Sequence, residues 1–478
     1  MVISQASVMN EYATKQPSLC GVPGHFTEEE QRKMAKLWTM LLSYFEQVKD
    51  KPVKVVGEYL QTISRDWSDL DASDNFKDED LETLTRRAWQ FTKGESGMKR
   101  FGIGSRKGKL TREELALDRH VNETTQQYVN RINGRNVVLM PDNFFPSFAH
   151  PSTDTRDIRD TFWSTVSIKQ HPDYWVHRYM RSAGWDVDRA FAMIKSIVEW
   201  RAAESIDKII HEGDVHSGHD ELRLCLSQLV GRDRLGYPLT FVRVRRIMPR
   251  ANEGFVFKRY LLNQFEAVQA VTRRHGRVTM LYDFTGFSMD NTPFVMVQFM
   301  IFLGRKVYAD SSSVLILLVD SWLFTNFWNL IRPFLDANLS ARIIFVKDVD
   351  EVRHFIDDDQ LPIELGGKNA FGAPFKLPEE GENTKMFDLD GRKEAEVEWR
   401  RRVADFEDIT RKWCACIASS SRSTEELDTL AAQRDKAGRL VEQGELALNK
   451  FTRSRNNFER LGLVDADGCL VLPSDDQR

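Results

Sequence analysis

Four short runs, "PLTFVRV" from Pro238, "VTMLYDF" from Val278, "SVLILLV" from Ser313 and "ARIIFV" from Ala341, constrain the fold more than any other feature. Each is apolar along nearly its whole length instead of at alternate positions. Strands written this way are buried on both faces, as in a largely parallel sheet covered by helices. Helical patterns at 256–275, 293–308 and 322–335 separate the runs, and such alternation predicts an α/β unit. Pro362 and Gly366–Gly367 close the region.

The flanking sequence has a different texture. Residues 1–26 read as a flexible tail. Thr27 and Glu30 form a capping box, followed at helical spacing by Met34, Leu37, Trp38, Leu41, Leu42 and Phe45. The segment 27–154 is expected to be a helical extension with linkers. It includes the basic, glycine-rich "KRFGIGSRKGK", whose spacing fails the phosphate-loop pattern and which reads as a linker. A helical lobe is expected over 155–220, where "WDVDRAFAMIKSIVEWRA" turns Ala190, Met193, Ile194, Ile197 and Trp200 to one side. The α/β unit would occupy 221–370. Beyond it, 371–478 is charged and helix-favouring, and the serines at 419–421 divide it into a helical hairpin expected to dock on its own domain.

Composition narrows the function. Lys plus Arg number 67 and Asp plus Glu 71, a formal charge of −4 that argues against binding nucleic acid by bulk charge. The N-terminus lacks the basic start and apolar core of a signal peptide, and no apolar run reaches the ~18 residues of a membrane span. Five scattered cysteines suggest reduced thiols and a cytoplasmic setting. No nucleophile elbow, zinc-protease helix, Walker loop or dinucleotide fingerprint occurs, so no catalytic residue and no cofactor are expected. "HEGDVHSGHDE" places His211, His216 and His219 among carboxylates, but at no metal-ligand spacing; it reads as a linker, and no metal is expected. "DRLGYP" reads as a turn, and Asp283 is an acid without a partner base.

"SWLFTNFWNLIRPFLDANL", from Ser321, is the least ordinary stretch. Trp322, Phe324, Phe327, Trp328, Ile331 and Phe334 do not fit one helical stripe, and the segment is too short to cross a bilayer. It is either sandwiched in a core, or it meets protein on one face and a ligand or bilayer on the other.

The ordered series "GRDRLGYPLTFVRV", "LYDFTGFSM", "WLFTNFWNLIRPFLD" and "QLPIELGG", preceded by "FWSTVSIKQHPDYWVHRYMRSAGWDVDRAFAMIKSIVEWR", resembles the CRAL-TRIO lipid-binding family over roughly 155–370, and fungal phosphatidylinositol transfer proteins within it. The resemblance implies a mixed, largely parallel sheet flooring an apolar cavity, a helical lobe before it and a mobile gate helix over its mouth. It also implies a non-enzymatic protein that exchanges one lipid between membranes, cytoplasmic and peripherally membrane-associated. Ser321–Asp336 falls at the gate. Candidate lipid contacts are Phe241, Val278, Met280, Tyr282, Phe284, Phe299, Phe302, Leu315 and Leu317, the strand parity being left open. For the head group, family positions map onto Asp310 and Arg342. The family's Arg-Lys pair reads Ala183 and Gly184 here, a Thr reads Leu339, and the phosphatidylcholine-contacting Ser and Thr read Val278 and Met280. Arg178 and Arg181 are nearby candidates for the missing charge. A phospholipid is expected; a less polar ligand such as a sterol, a lipid sensor, or a scaffold with a lipid-responsive domain are the alternatives.

Overall fold

The computed structural model describes residues 5–14, 26–54, 155–167, 171–204, 206–216, 225–244, 254–272, 275–286, 294–319, 323–370, 381–419 and 423–472, with a few single positions between them. The glycine-rich segment at 99–109 and most of the expected helical extension lie outside the described residues. Gln5–Thr14, within the expected loose tail, is a docked helix, α1. Its only buried side chains are Val8 and Tyr12, one turn apart, too weak a pattern to stand out in sequence.

Helix α2 (Glu28–Val48) begins at the expected capping box: Thr27 Oγ1 accepts from the Glu30 amide at 3.2 Å, and Glu30 Oε2 accepts from the Thr27 amide at 2.9 Å. A two-residue antiparallel pair, β1 (Val53–Lys54) and β2 (Thr155–Arg156), leads to α3 (Ile158–Ser167), α4 (Pro172–Ser182), α5 (Val187–Ala203) and α6 (Ile206–Glu212). Asp186 caps α5 by accepting from the Arg189 amide at 2.9 Å. His211, expected in a linker, is instead buried at the end of α6, its Nδ1 2.9 Å from the Thr452 carbonyl. The His216 side chain and His219 lie outside the described residues.

The α/β unit follows as β3 (Ser227–Arg232), β4 (Pro238–Arg243), α7 (Gly254–Val271), β5 (Val278–Asp283), α8 (Phe294–Phe302), β6 (Ser312–Leu318), α9 (Leu323–Ile331), α10 (Ala337–Arg342), β7 (Ile343–Val346) and α11 (Val349–Val352). Spatial strand order matches chain order, β3-β4-β5-β6-β7. Within this five-stranded sheet β3 and β4 are antiparallel and the other pairs are parallel, each reached through a helical crossover. "DRLGYP" is the β3–β4 turn: Asp233 Oδ1 accepts from the Leu235 and Tyr237 amides, both at 2.9 Å, and Gly236 takes the positive φ of 85°. Asp283 likewise closes a turn, accepting from the Thr285 amide at 2.9 Å.

The last helices, α12 (Leu389–Ala418), α13 (Thr424–Thr452) and α14 (Asn457–Arg460), include the expected hairpin. The hairpin completes the helical lobe. Trp399, Val403, Phe406 and Val441 share one core with Trp38, Phe162, Trp163 and Trp175. At its centre Arg434 donates through both terminal nitrogens to Asp173, and through Nε to Thr410 Oγ1 at 2.9 Å. Its guanidinium carbon lies 4.5 Å from the Trp413 ring centroid and 4.9 Å from that of Phe406. The Trp38 indole also donates to Asp173, at 2.8 Å. Burial opposes ionisation of Asp173, but Arg434 outweighs it and the carboxyl falls from 3.8 to about 2.

That pair gives the helical lobe an acid limit. A carboxyl depressed in the folded state stabilises it above the unfolded pKa, near 4, and that contribution fades as pH falls toward 2. Asp173→Asn should lower the urea midpoint at pH 7 and flatten the loss of stability between pH 4 and 2. The close packing of α13 on α4 is tested separately. A Cβ at Gly438 would collide with the His171 ring, so Gly438→Ala should destabilise by about 1–3 kcal/mol in equilibrium unfolding.

Candidate functional site

Strand alternation sorts the candidate contacts. Met280, Tyr282, Leu315 and Leu317 face α9, in register with one another and with Ile343 and Phe345 of β7. Val278 shares their parity on β5, and Phe284 joins them past the strand end. Phe241 does not. It pairs with Leu281 on the opposite face, in a second core with Leu239, Val314, Ile316 and Ile344. Its neighbour Val242, opposite Tyr282, is the β4 residue on the α9 side. A continuously apolar run carries no parity signal, which is why the sequence could not choose between Phe241 and Val242. Phe299 and Phe302 lie in the α9-side core, and Phe302 meets Trp200 of α5 at 5.2 Å.

Helix α9 closes over this face with an aromatic cluster. Phe324 packs on Phe284 at 4.7 Å and Phe345 at 5.8 Å, and Trp328 meets Phe345 at 4.7 Å. Phe324, Phe327, Ile331 and Phe334 are buried, Trp328 partly so, while Thr325 and Asn329 are exposed. The described side chains thus form one inward stripe at i, i+3, i+4 and i+7. Trp322 and the side chains of Leu323 and Leu330, on which an outward apolar face would depend, lie outside the described residues. Phe345, which the sequence reading passed over, is 44% exposed although it touches two gate aromatics, so the rim of this face opens to solvent.

Past the gate, three segments converge on Asp310. Arg342, at the end of α10, donates Nη2–H to Asp310 Oδ1 at 2.5 Å and Nη1–H to the Ser313 carbonyl at 2.9 Å. Arg277, just before β5, donates to Oδ2 at 3.2 Å, and Arg181 of α4 places Nε 3.2 Å from the same oxygen. Burial pushes the Asp310 pKa up, but the three guanidiniums hold it well below the carboxylate range. One carboxylate cannot neutralise three cations. Burial, together with repulsion from Arg277 and Arg181, draws Arg342 down from 12.5 to about 10 despite Asp310. Asp310 adopts a φ of 53°, the left-handed region entered most readily by Gly, Asn and Asp. A cleft beside the cluster is lined by Ser182, Gly304, Asp310, Asn338, Leu339 and Arg342.

Ala183 and Gly184 carry no charge, and the cations around Asp310 come from other positions. Ala183 is buried, and Gly184 takes a φ of 65°, where a side chain would be strained. Arg181 and Arg277 both pair with Asp310. Arg178 points elsewhere, donating to Gln269 Oε1 at 2.9 Å and the Gly276 carbonyl at 2.7 Å. Asp336 pairs with Arg305 at 3.4 Å and caps α10, leaving Asp310 as the carboxylate bonded to Arg342. Arg305 also donates to the Phe334 carbonyl at 2.8 Å, tying down the end of the gate segment. Arg277 had no sequence signal: it sits after a glycine turn, and only the crossover between β5 and β6 brings Asp310 to it.

With this architecture in place, residues 226–367 match the family model described as the CRAL/TRIO domain, and the chain carries a CRAL-TRIO domain. The chain is 26% identical over 321 residues to the phosphatidylinositol transfer protein CSR1 of Eremothecium gossypii, covering 65% of this chain and 72% of that one. It is 22% identical over 454 residues to the CRAL-TRIO domain-containing protein C3H8.02 of Schizosaccharomyces pombe, covering 94% and 93%. A crystal structure of Sfh5 overlays with a TM-score of 0.32 at 14% identity, over 39% of this chain and 67% of that one. Among the described residues no helix is long and apolar enough to cross a membrane.

Asp310→Asn keeps a residue that tolerates the left-handed backbone while removing the charge between three arginines. It should cost about 3–5 kcal/mol in urea unfolding, as breaking a buried ion pair does. Added sulfate should recover more of that loss than chloride at equal ionic strength, because a bound anion stabilises the folded state by linkage.

Proposed function

We propose that this protein is a non-enzymatic lipid carrier. It would hold one phospholipid with its chains against the α9-side face of the sheet and its phosphate at the Arg181–Arg277–Arg342 cluster. The CRAL-TRIO domain supports lipid binding or transfer. The observation that supports the finer reading is the convergence of Arg181, Arg277 and Arg342 on the single carboxylate of Asp310, next to a cleft that Arg342 and Asp310 line together with Arg305 and Asp336. Arginine forks suit phosphate oxygens, and a phosphate buried without such partners would be costly. Likeness to a phosphatidylinositol transfer protein favours that lipid.

The mechanism needs a lid and no covalent step. Each methylene removed from water is worth about 0.8 kcal/mol, so a two-chain lipid leaves a membrane at useful rates only if its chains stay shielded. Helix α9 can supply that shield without disturbing the sheet, since it joins the face through side chains and no strand pairing. Opening it would present Phe324, Phe327 and Trp328 to a membrane surface, making the membrane contact transient and peripheral.

Mass spectrometry of lipids co-purifying with the full chain tests the reading. Phosphatidylinositol or another anionic phospholipid is expected; a sterol alone would overturn the phosphate assignment and favour the less polar ligand. Arg277→Met should reduce phosphatidylinositol transfer between vesicles at least about ten-fold and phosphatidylcholine transfer far less, charged hydrogen bonds being worth about 1.5–3 kcal/mol. Equal loss for both lipids would assign the cluster to gate closure alone.

A further inference from the structure

Helix α1 is packed against α10 and the sheet, beside the arginine cluster. Tyr12 is its anchor. The hydroxyl donates to Asp233 Oδ2 at 2.5 Å and lies 3.3 Å from Thr279 Oγ1 and 3.2 Å from Ser313 Oγ, while its ring meets Phe355 edge-on at 5.1 Å. Ser313 is also the residue whose carbonyl accepts from Arg342, so anchor and cluster share one strand segment. At the other end of α1, Gln5 Nε2 donates to the Ile343 carbonyl at 3.4 Å, the residue directly after Arg342. Glu11, half-buried one position before the anchor, acts electrostatically on Arg181, Arg277 and Arg342 alike, favouring the charged form of each. The cluster has more positive charge than Asp310 can balance, and α1 brings a further carboxylate to it.

From this placement we propose that α1 is an intramolecular competitor of the anionic ligand. Tyr12 seats the helix under the sheet, Glu11 partly neutralises the arginine cluster while the site is empty, and arrival of a phosphate group on the cluster weakens α1 docking. By linkage the effect is reciprocal: docked α1 lowers affinity for the anion by the same factor by which bound anion weakens α1 docking. The proposal rests on the reading of the cluster as a phosphate site.

Hydrogen exchange of residues 5–14 in the full chain tests it, beside lipid extraction from phosphatidylcholine vesicles with and without phosphatidylinositol. Exchange in α1 should rise when phosphatidylinositol is loaded. Glu11→Gln should raise basal exchange and increase phosphatidylinositol uptake by about five-fold, the upper worth of a partly exposed ion pair, with phosphatidylcholine uptake unchanged. Tyr12→Phe should act in the same direction through the anchor. If phosphatidylinositol is extracted while α1 exchange stays fixed, the competition is refuted and the carrier reading stands. If no phosphatidylinositol is extracted by any variant, the carrier reading fails, and inorganic phosphate decides the competition. A rise in α1 exchange beyond that of chloride at equal ionic strength supports it, and no rise overturns it.

Discussion

Asp310 joins three separate parts of the chain at one carboxylate. Its oxygens take Arg181 from the helical lobe, Arg277 from the entry to a central strand, and Arg342 from the helix after the gate. Desolvating one carboxylate and three guanidiniums is expensive, and mutual attraction offsets that only with close geometry and further hydrogen bonds. Arg342 finds one at the Ser313 carbonyl. The node is therefore a poor means of gaining stability alone, and a good means of fixing lobe, sheet and gate exit in one arrangement with positive charge left over.

The gate depends on that fixed frame from the other side. Arg305 holds the Phe334 carbonyl and Asp336, so the segment leaving α9 is anchored where α10 begins. The entering half of α9 is held by ring contacts among Phe284, Phe324, Trp328 and Phe345. Dispersion contacts are individually weak and directionless, whereas charged hydrogen bonds are specific. The segment is thus tied by charged hydrogen bonds at its exit and by apolar ring contacts along α9. The C-terminal hairpin packs into the helical lobe. Its Arg434 is locked on Asp173 inside an aromatic box, which makes the helical lobe a rigid support for Arg181.

The local patterns were strong enough to read directly. Continuous apolar runs dictated covered strands, because each strand has helices on both sides; the Thr27–Glu30 box and Asp186 dictated helix starts, because capping chemistry acts within four residues. The ordered motifs implied the family and its gate, and Arg342 with Asp310 could be named as positions of interest. The α1 helix could not be anticipated, since two anchors in ten residues signal nothing until the surface they fit is known.

What the sequence determined by itself is whatever depends on near neighbours along the chain: the covered strands, the capped helices, the charged hairpin and the unusual gate segment. Tertiary structure decided what depends on facing and on charge balance. It chose Val242 over Phe241 for the gate side, since a one-residue change of parity moves a side chain across the sheet. It also brought Arg181 and Arg277, 96 residues apart (277 − 181), to one carboxylate, Asp310. Electrostatic partnership is set by distance in space, and only the parallel crossovers bring these residues to one carboxylate.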